Sequence, residues 1–165
     1  MESTERLSLP LLMPGQAQKE LWHNEALQIL DVLVGCAVED GPANDPPASP
    51  VAGSTYLVGD SPTGDWAGFA SDVAAYGSGG WRFLAPAEGM QLFVKSSGTL
   101  ALYRSGAWET GILRGASLVI DGLQVVGARG GAVADPSGGA VMDAEARLAI
   151  GQILAALRQH GLISS

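Results

Sequence analysis

An α+β fold is predicted for this chain, with helices towards its two ends and a small antiparallel β domain between them. Three observations predict it. Apolar residues recur every three or four positions in two separate stretches, the period of an amphipathic helix. Between those stretches, short apolar runs alternate with glycine-containing turns, the signature of strands. Gly 23 and Pro 9 together make roughly a fifth of the 165 residues, well above the usual share, so turns are frequent and long helices few. The expected organisation is an N-terminal strap and amphipathic helix (1–40), a proline-rich linker (41–51), a small β domain (52–115), and a hairpin, glycine-rich tether and docking helix (116–165).

The strap comes first because Leu9-Pro10-Leu11-Leu12-Met13-Pro14-Gly15 carries two prolines and a glycine, which forbid a helix and favour extended chain. From Gln16 onward, Leu21, Trp22, Ala26, Leu27, Ile29, Leu30, Leu33 and Val34 form an apolar stripe, with Lys19, Glu20, Asn24, Glu25, Gln28 and Asp31 between them. That helix ends near Gly35. Gly41-Pro42-Ala43-Asn44-Asp45-Pro46-Pro47-Ala48-Ser49-Pro50 then reads as a semi-rigid extended spacer.

Strands are predicted at Thr55–Val58, Trp81–Leu84, Met90–Val94, Thr99–Tyr103 and Ala107–Glu109, with Ser96-Ser97-Gly98 and Ser105-Gly106 as tight connections of an antiparallel meander. Ala116–Ile120 and Leu123–Gly127 flank Asp121-Gly122, a strong hairpin signal because both turn residues tolerate positive φ. A flexible glycine-rich stretch, 130–139, leads to a final helix with Asp143 as N-cap and Gly161 as its stop. Ala146, Ile150, Ile153 and Leu157 form a short seam along it, and Arg158 and His160 suit its C-terminal dipole.

With 47% hydrophobic and 16% charged residues, the chain has the composition of a folded domain rather than of a disordered one. Nine basic against seventeen acidic residues leave a net charge of −8, the wrong sign for binding a phosphate backbone, so nucleic acid is not an expected partner. No apolar run approaches the length of a membrane span, and the start lacks a basic segment followed by an apolar one. A soluble chain made without an export signal, with no membrane insertion, is expected. The lone cysteine, Cys36, sits among apolar neighbours and reads as a small buried hydrophobe.

Candidate chemistry is sparse. His23 lies near Glu20, Asn24 and Glu25, yet no second histidine gives a metal-ligand spacing, and it reads as a structural polar residue bonded to neighbouring backbone or to another subunit. No serine sits in a nucleophile-elbow pattern, and the glycine-rich Gly77-Ser78-Gly79-Gly80 lacks the lysine of a phosphate loop. No catalytic residue, metal ligand or cofactor is assigned, and enzymatic activity is not expected. Trp66, Tyr76 and Trp81 fall in the β segment. The alternation of tryptophan with polar residues in Gly80-Trp81-Arg82-Phe83 and Ala107-Trp108-Glu109 favours core packing, and a second reading has one or more of Trp66, Tyr76 and Trp81 stacking on a sugar ring.

Leu9-Pro10-Leu11-Leu12-Met13-Pro14-Gly15-Gln16-Ala17-Gln18-Lys19-Glu20, running into His23-Asn24-Glu25-Ala26-Leu27, resembles the opening of a domain of unknown function common in alphaproteobacterial prophages and gene transfer agents. Gly53-Ser54-Thr55-Tyr56-Leu57-Val58-Gly59, Trp81-Arg82-Phe83-Leu84-Ala85-Pro86 and Glu88-Gly89-Met90 continue the likeness, which spans roughly Leu9 to Trp108. Gly122–Arg129, Ala134–Ala140 and Asp143–Arg147 are similar to the end of many such fibre proteins. The resemblance implies a structural role in a virion appendage, such as a tail fibre or the head spike of a gene transfer agent, and no catalytic residues. The chain has no extended repeats and no added receptor-binding segment after the family stretch, so a short base or adaptor is expected rather than a receptor tip.

The expected mode of action is self-assembly into a symmetric trimer or ring that joins capsid or tail proteins to a distal fibre protein. Leu9, Leu11, Leu12 and Met13 of the strap, and Ala146, Ile150, Ile153 and Leu157 of the last helix, are the expected contacts between subunits or with those partners. The alternative is a carbohydrate-binding module of the particle that meets host surface polysaccharide through Trp66, Tyr76 or Trp81.

Overall fold

The computed structural model describes residues 2–13, 15, 19–139 and 143–164. The fold is mixed α+β with antiparallel strands in small sheets, in two compact units, Met1–Ile112 and Leu113–Ser165.

The first unit begins with a tight turn ahead of the predicted strap, whose described residues from Leu11 to Met13 form neither helix nor turn. Thr4 N–H donates to Leu9 O (3.0 Å) and Leu11 N–H to Glu2 O (2.9 Å), so residues 2–11 double back on themselves. The following helix, α1 (Lys19–Leu33), lies within the predicted one, whose first residues, Gln16–Gln18, fall outside the described set. Its packing face differs from expectation. Asp31 and Val32 are buried, whereas Leu21, Trp22, Leu30 and Val34 of the apolar stripe are exposed, Trp22 to 78%. The cause is Asp31, only 3% exposed. Its Oδ1 accepts from the Thr4 hydroxyl (2.7 Å) and Leu7 N–H (2.6 Å), and its Oδ2 from Arg6 N–H (3.0 Å). Arg6 closes the same joint by donating through Nη1 to the carbonyls of Asp31 and Val32 at 2.7 and 2.8 Å, where the helix dipole favours a cation.

Two sheets follow. β1 (Ala37–Val38), β5 (Gln91–Val94), β6 (Thr99–Arg104) and β7 (Ala107–Thr110) form one in the order β1-β5-β6-β7. β2 (Thr55–Leu57), β3 (Val73–Gly77) and β4 (Gly80–Leu84) form the other in chain order. The meanders β5-β6-β7 and β2-β3-β4 are antiparallel, and β1 joins β5 in parallel. Side-chain alternation then builds the core. Val73 and Ala75 of β3 pack with Val38, Leu57, Leu92, Val94 and Ala101, while Ala74 turns the other way to meet Val58 and Trp66. Val32 and Cys36 carry the end of α1 into the same main core. Burial pushes the Cys36 thiol above its ordinary range, and Arg6 pulls it partly back, which suits an inert packing residue.

Residues 41–50 form neither helix nor strand, as their prolines predict, and the start of the segment lies against the β domain. Ala43 bridges Val58, its N–H donates to Leu57 O (3.0 Å), and Thr63 N–H donates to Asn44 O (2.9 Å). The segment lies on the β domain through single bonds rather than a ladder, a pairing that leaves no periodic trace in sequence. Gly41 shows how close the approach is: a Cβ there would fall 2.4 Å from Leu57 O, at a φ of +136° that disfavours any side chain.

The second unit holds the hairpin β8 (Leu118–Ile120) and β9 (Leu123–Val126) and the helix α2 (Ala144–Gln159). Asp121 and Gly122 have φ of 50° and 77°, as a two-residue hairpin turn requires. Asp143 caps α2 by accepting from Ala146 N–H at 2.8 Å. Its far end closes with Gly161 N–H on Arg158 O (3.0 Å) and Leu162 N–H on Leu157 O (2.9 Å), the paired bonds of a Schellman stop. The glycine-rich stretch expected to be a flexible tether is bonded to this helix. Arg158 pairs with Asp135 (3.0 Å), Arg147 donates to Gly138 O, and Gly130 N–H donates to Leu162 O (2.7 Å). Arginine side chains and glycine backbone make these contacts, so no apolar pattern announced them.

Candidate functional site

Two places in the structure have unassigned surface chemistry, one in each unit. In the first unit a cleft of about 230 Å³ lies between the N-terminal turn, α1 and the β3-β4 turn. Glu5 and Arg6 line it from the first, Gln28 and Asp31 from the second, and Tyr76 through Arg82 from the third. Glu5 Oε1 accepts from Ser78 N–H (2.9 Å), holding the wall of the cleft closed at one end, and Arg82 pairs with Glu25 of α1. Tyr76 and Trp81 meet edge to face at 5.0 Å and are half-buried, so part of each ring remains available.

Trp66 does not belong with them. It is 0% exposed and packs edge to face on Trp81 at 5.3 Å and against Tyr56 at 5.8 Å, so it has no free face for a ligand. Buried under the β3 face, it is the centre of the smaller core, and only Tyr76 and Trp81 of the three predicted aromatics reach a cleft. The cleft sets side chains of both charges beside aromatic carbon, with Glu5, Arg6, Asp31 and Arg82 each already bonded within the protein. Asp72, beside β3, has its carboxyl pushed up by burial but does not line the cleft. His23 is exposed on α1, and His160 is the C-cap residue of α2. Among the described residues no group of three or more His, Cys, Asp or Glu side chains is placed to hold a metal ion, and no helix is long and apolar enough to cross a membrane.

In the second unit the surface is apolar. All seven strand residues of β8 and β9 are exposed, Leu123 to 71%. Cross-strand pairing puts Leu118 opposite Val126 and Ile120 opposite Leu123, so these four share one face, while Val119 sits opposite Gln124 on the other. On α2, Ala146, Ile150 and Ile153 of the predicted seam are exposed and Leu157 is half-buried, with Leu148 exposed beside them. Leu154 is the buried residue of this helix. The strap residues lie differently: Leu9, Leu11 and Leu12 are half-buried, Leu12 being held by Asn24 through two bonds of 2.9 and 3.0 Å, and Met13 is exposed. Sequence reasoning named neither the hairpin nor Leu21 and Trp22 of α1 as surface apolar residues. The hairpin's signal was present, since apolar residues fill both faces of its strands.

A family described as "Protein of unknown function (DUF2793)" matches residues 23–109, more than half of the chain. The chain belongs to the DUF2793 family. No curated protein matches it. The DUF2793 segment takes in most of α1, both sheets of the first unit and every strand residue that lines the cleft, and the hairpin and α2 of the second unit lie beyond it.

Proposed function

We propose that this protein is a structural subunit of a phage or gene-transfer-agent particle, the base or adaptor of a head spike or tail fibre. It acts by self-assembly, joining capsid or tail proteins to a distal fibre protein. The observation that carries the reading is the apolar surface of the second unit. A two-stranded hairpin is marginally stable by itself, and here all its strand residues face outward, with further exposed apolar residues on α2. Such a surface is what a chain that works in multiple copies needs. The likeness of Leu9–Glu20, Trp81–Pro86 and Gly122–Arg129 to appendage proteins of alphaproteobacterial prophages and gene transfer agents supplies the setting.

Deleting the coding sequence from a particle-producing cell tests this reading. Purified particles are expected to lack one appendage by electron microscopy while heads and tails still form. Particles with every appendage present would contradict it.

A second reading, glycan contact by the particle, is favoured by one observation: Tyr76 and Trp81 line the same cleft as Gln28 and Arg82. Binding of host polysaccharide by the folded protein, lost on Tyr76→Ala and Arg82→Ala with the unfolding transition unchanged, is the expected result under this reading. Equal binding by the variants would remove it.

A further inference from the structure

Independently of the assembly reading, we propose that the turn between β8 and β9 is a site of covalent modification, where Asp121 isomerises to isoaspartate and lengthens the hairpin backbone by one carbon. The reaction needs only the chain and water. Gly122 N bonds to Cγ of the protonated Asp121 carboxyl, whose hydroxyl leaves as water with the amide proton. The five-membered imide so formed then takes up one water. Opening at the bond from Cγ to the nitrogen restores aspartate. Opening at the bond from the main-chain carbonyl of Asp121 leaves the chain running through Cβ and Cγ, with the former carbonyl carbon now a free carboxylate.

Asp-Gly occurs twice in the sequence, at Asp40-Gly41 and Asp121-Gly122, and the fold treats the two differently. Asp121 and Gly122 are both exposed, and a Cβ added at Gly122 would meet open space. Among the described residues the Asp121 carboxylate has no hydrogen-bond partner to hold it away from the amide. Its φ of 50° lies in the left-handed region, where a side chain carries a steric cost that opening of the turn relieves. A sheet of two strands is marginal by itself, so the backbone rotation that brings Gly122 N to Asp121 Cγ requires little local unfolding. Asp40 is held instead. Its Oδ1 accepts from the Ser96 hydroxyl (2.6 Å), its carbonyl accepts from Leu57 N–H (3.0 Å), and Gly41 is pressed against Leu57.

The product changes shape without changing charge, since one carboxylate replaces another. A two-residue turn has no room for a further backbone atom while Ile120 stays opposite Leu123, so the converted chain loses the pairing of β8 with β9. The first unit, whose cores and sheets end before the hairpin, is untouched. Conversion at this one residue thus alters the second unit with the age of the molecule.

The test uses the full-length chain, kept for weeks at neutral pH and physiological temperature and then digested with trypsin, which places Asp121 in the peptide 115–129 and Asp40 in the peptide 20–82. Isoaspartate is read as a second peptide peak of unchanged mass that isoaspartyl methyltransferase methylates. It is expected in 115–129 and absent from 20–82. Asp121→Asn keeps the turn chemistry and is expected to give the same product faster, with the mass gained when an amide becomes an acid. Asp121→Glu, whose longer side chain closes no five-membered ring, is expected to give none. Hydrogen exchange is expected to show amides of 118–126 losing protection in the converted fraction alone. If Asp121 stays intact in the folded protein while the isolated peptide 115–129 converts, the folded turn blocks the reaction and the proposal is overturned. Equal conversion at Asp40, or hairpin exchange unaltered by conversion, overturns it as well.

Discussion

Replacing Asp31 with alanine is expected to destabilise the first unit by about 3 kcal/mol, since hydrogen bonds to a charged acceptor contribute most and leave costly orphans when lost. Three donors converge on this carboxylate: the Thr4 hydroxyl and the N–H groups of Arg6 and Leu7. Alanine leaves all three without their partner in a site only 3% exposed. The change also loosens the joint that seats α1, because Arg6, which donates to the carbonyls of Asp31 and Val32, is positioned by the same turn. An asparagine side chain would keep an oxygen for two donors but set an amide N–H against the third, so Asp31→Asn is expected to fall between alanine and the native residue. The denaturant midpoint followed by tryptophan fluorescence reads this directly, with Trp66, Trp81 and Trp108 all packed in or against the cores of that unit. A midpoint unmoved by Asp31→Ala would mean that the N-terminal turn is not coupled to the folding of the sheets.

Ending the chain at Ile112 is expected to leave a folded, soluble, monomeric unit. Both hydrophobic cores and both of its sheets lie wholly within residues up to 112, so their unfolding transition should be kept. The removed part holds the exposed Leu118, Val119, Ile120, Leu123, Val125, Val126, Leu148, Ile150 and Ile153. What remains carries the full net charge of −8, which disfavours close approach of copies. Circular dichroism and light scattering of the shortened chain check the two halves of the expectation. A shortened chain that still assembles would move the contact to the first unit, where Leu21 and Trp22 of α1 are the exposed apolar residues to test.

Much of this fold was legible because the local chemistry and the final structure agree. Asp121-Gly122 fixed a hairpin, Asp143 and Gly161 bounded α2, and the alternation around Trp81-Arg82-Phe83-Leu84 and Met90–Val94 marked strands that formed as expected. What escaped was set by contacts distant in sequence. β3, Val73–Gly77, has the small residues Ala74 and Ala75 where a strand signal calls for bulk, because Trp66 and the opposing sheet fill the space on either side. β1 is two residues long and exists through its parallel pairing with Phe93 and Val94.

The helix α1 was found, but its orientation was not. Periodicity shows an apolar stripe without saying which face turns inward, and here three hydrogen bonds to Asp31 outweigh exposure of Leu21, Trp22 and Leu30. The same limit applies to function. Trp66, Tyr76 and Trp81 were visible in sequence as three equal candidates, yet only folding places Tyr76 and Trp81 in a cleft and Trp66 beneath the sheet. The hairpin was legible as a hairpin, but that none of its strand residues finds cover is a tertiary fact.

The central claim is that this chain works as an assembly held at its second unit. The mass of the intact protein in solution, measured by light scattering over a range of concentrations, tests it most directly. The account predicts a defined multiple of the 16.9 kDa chain that dissociates on dilution. A mass of one chain at every concentration would contradict it.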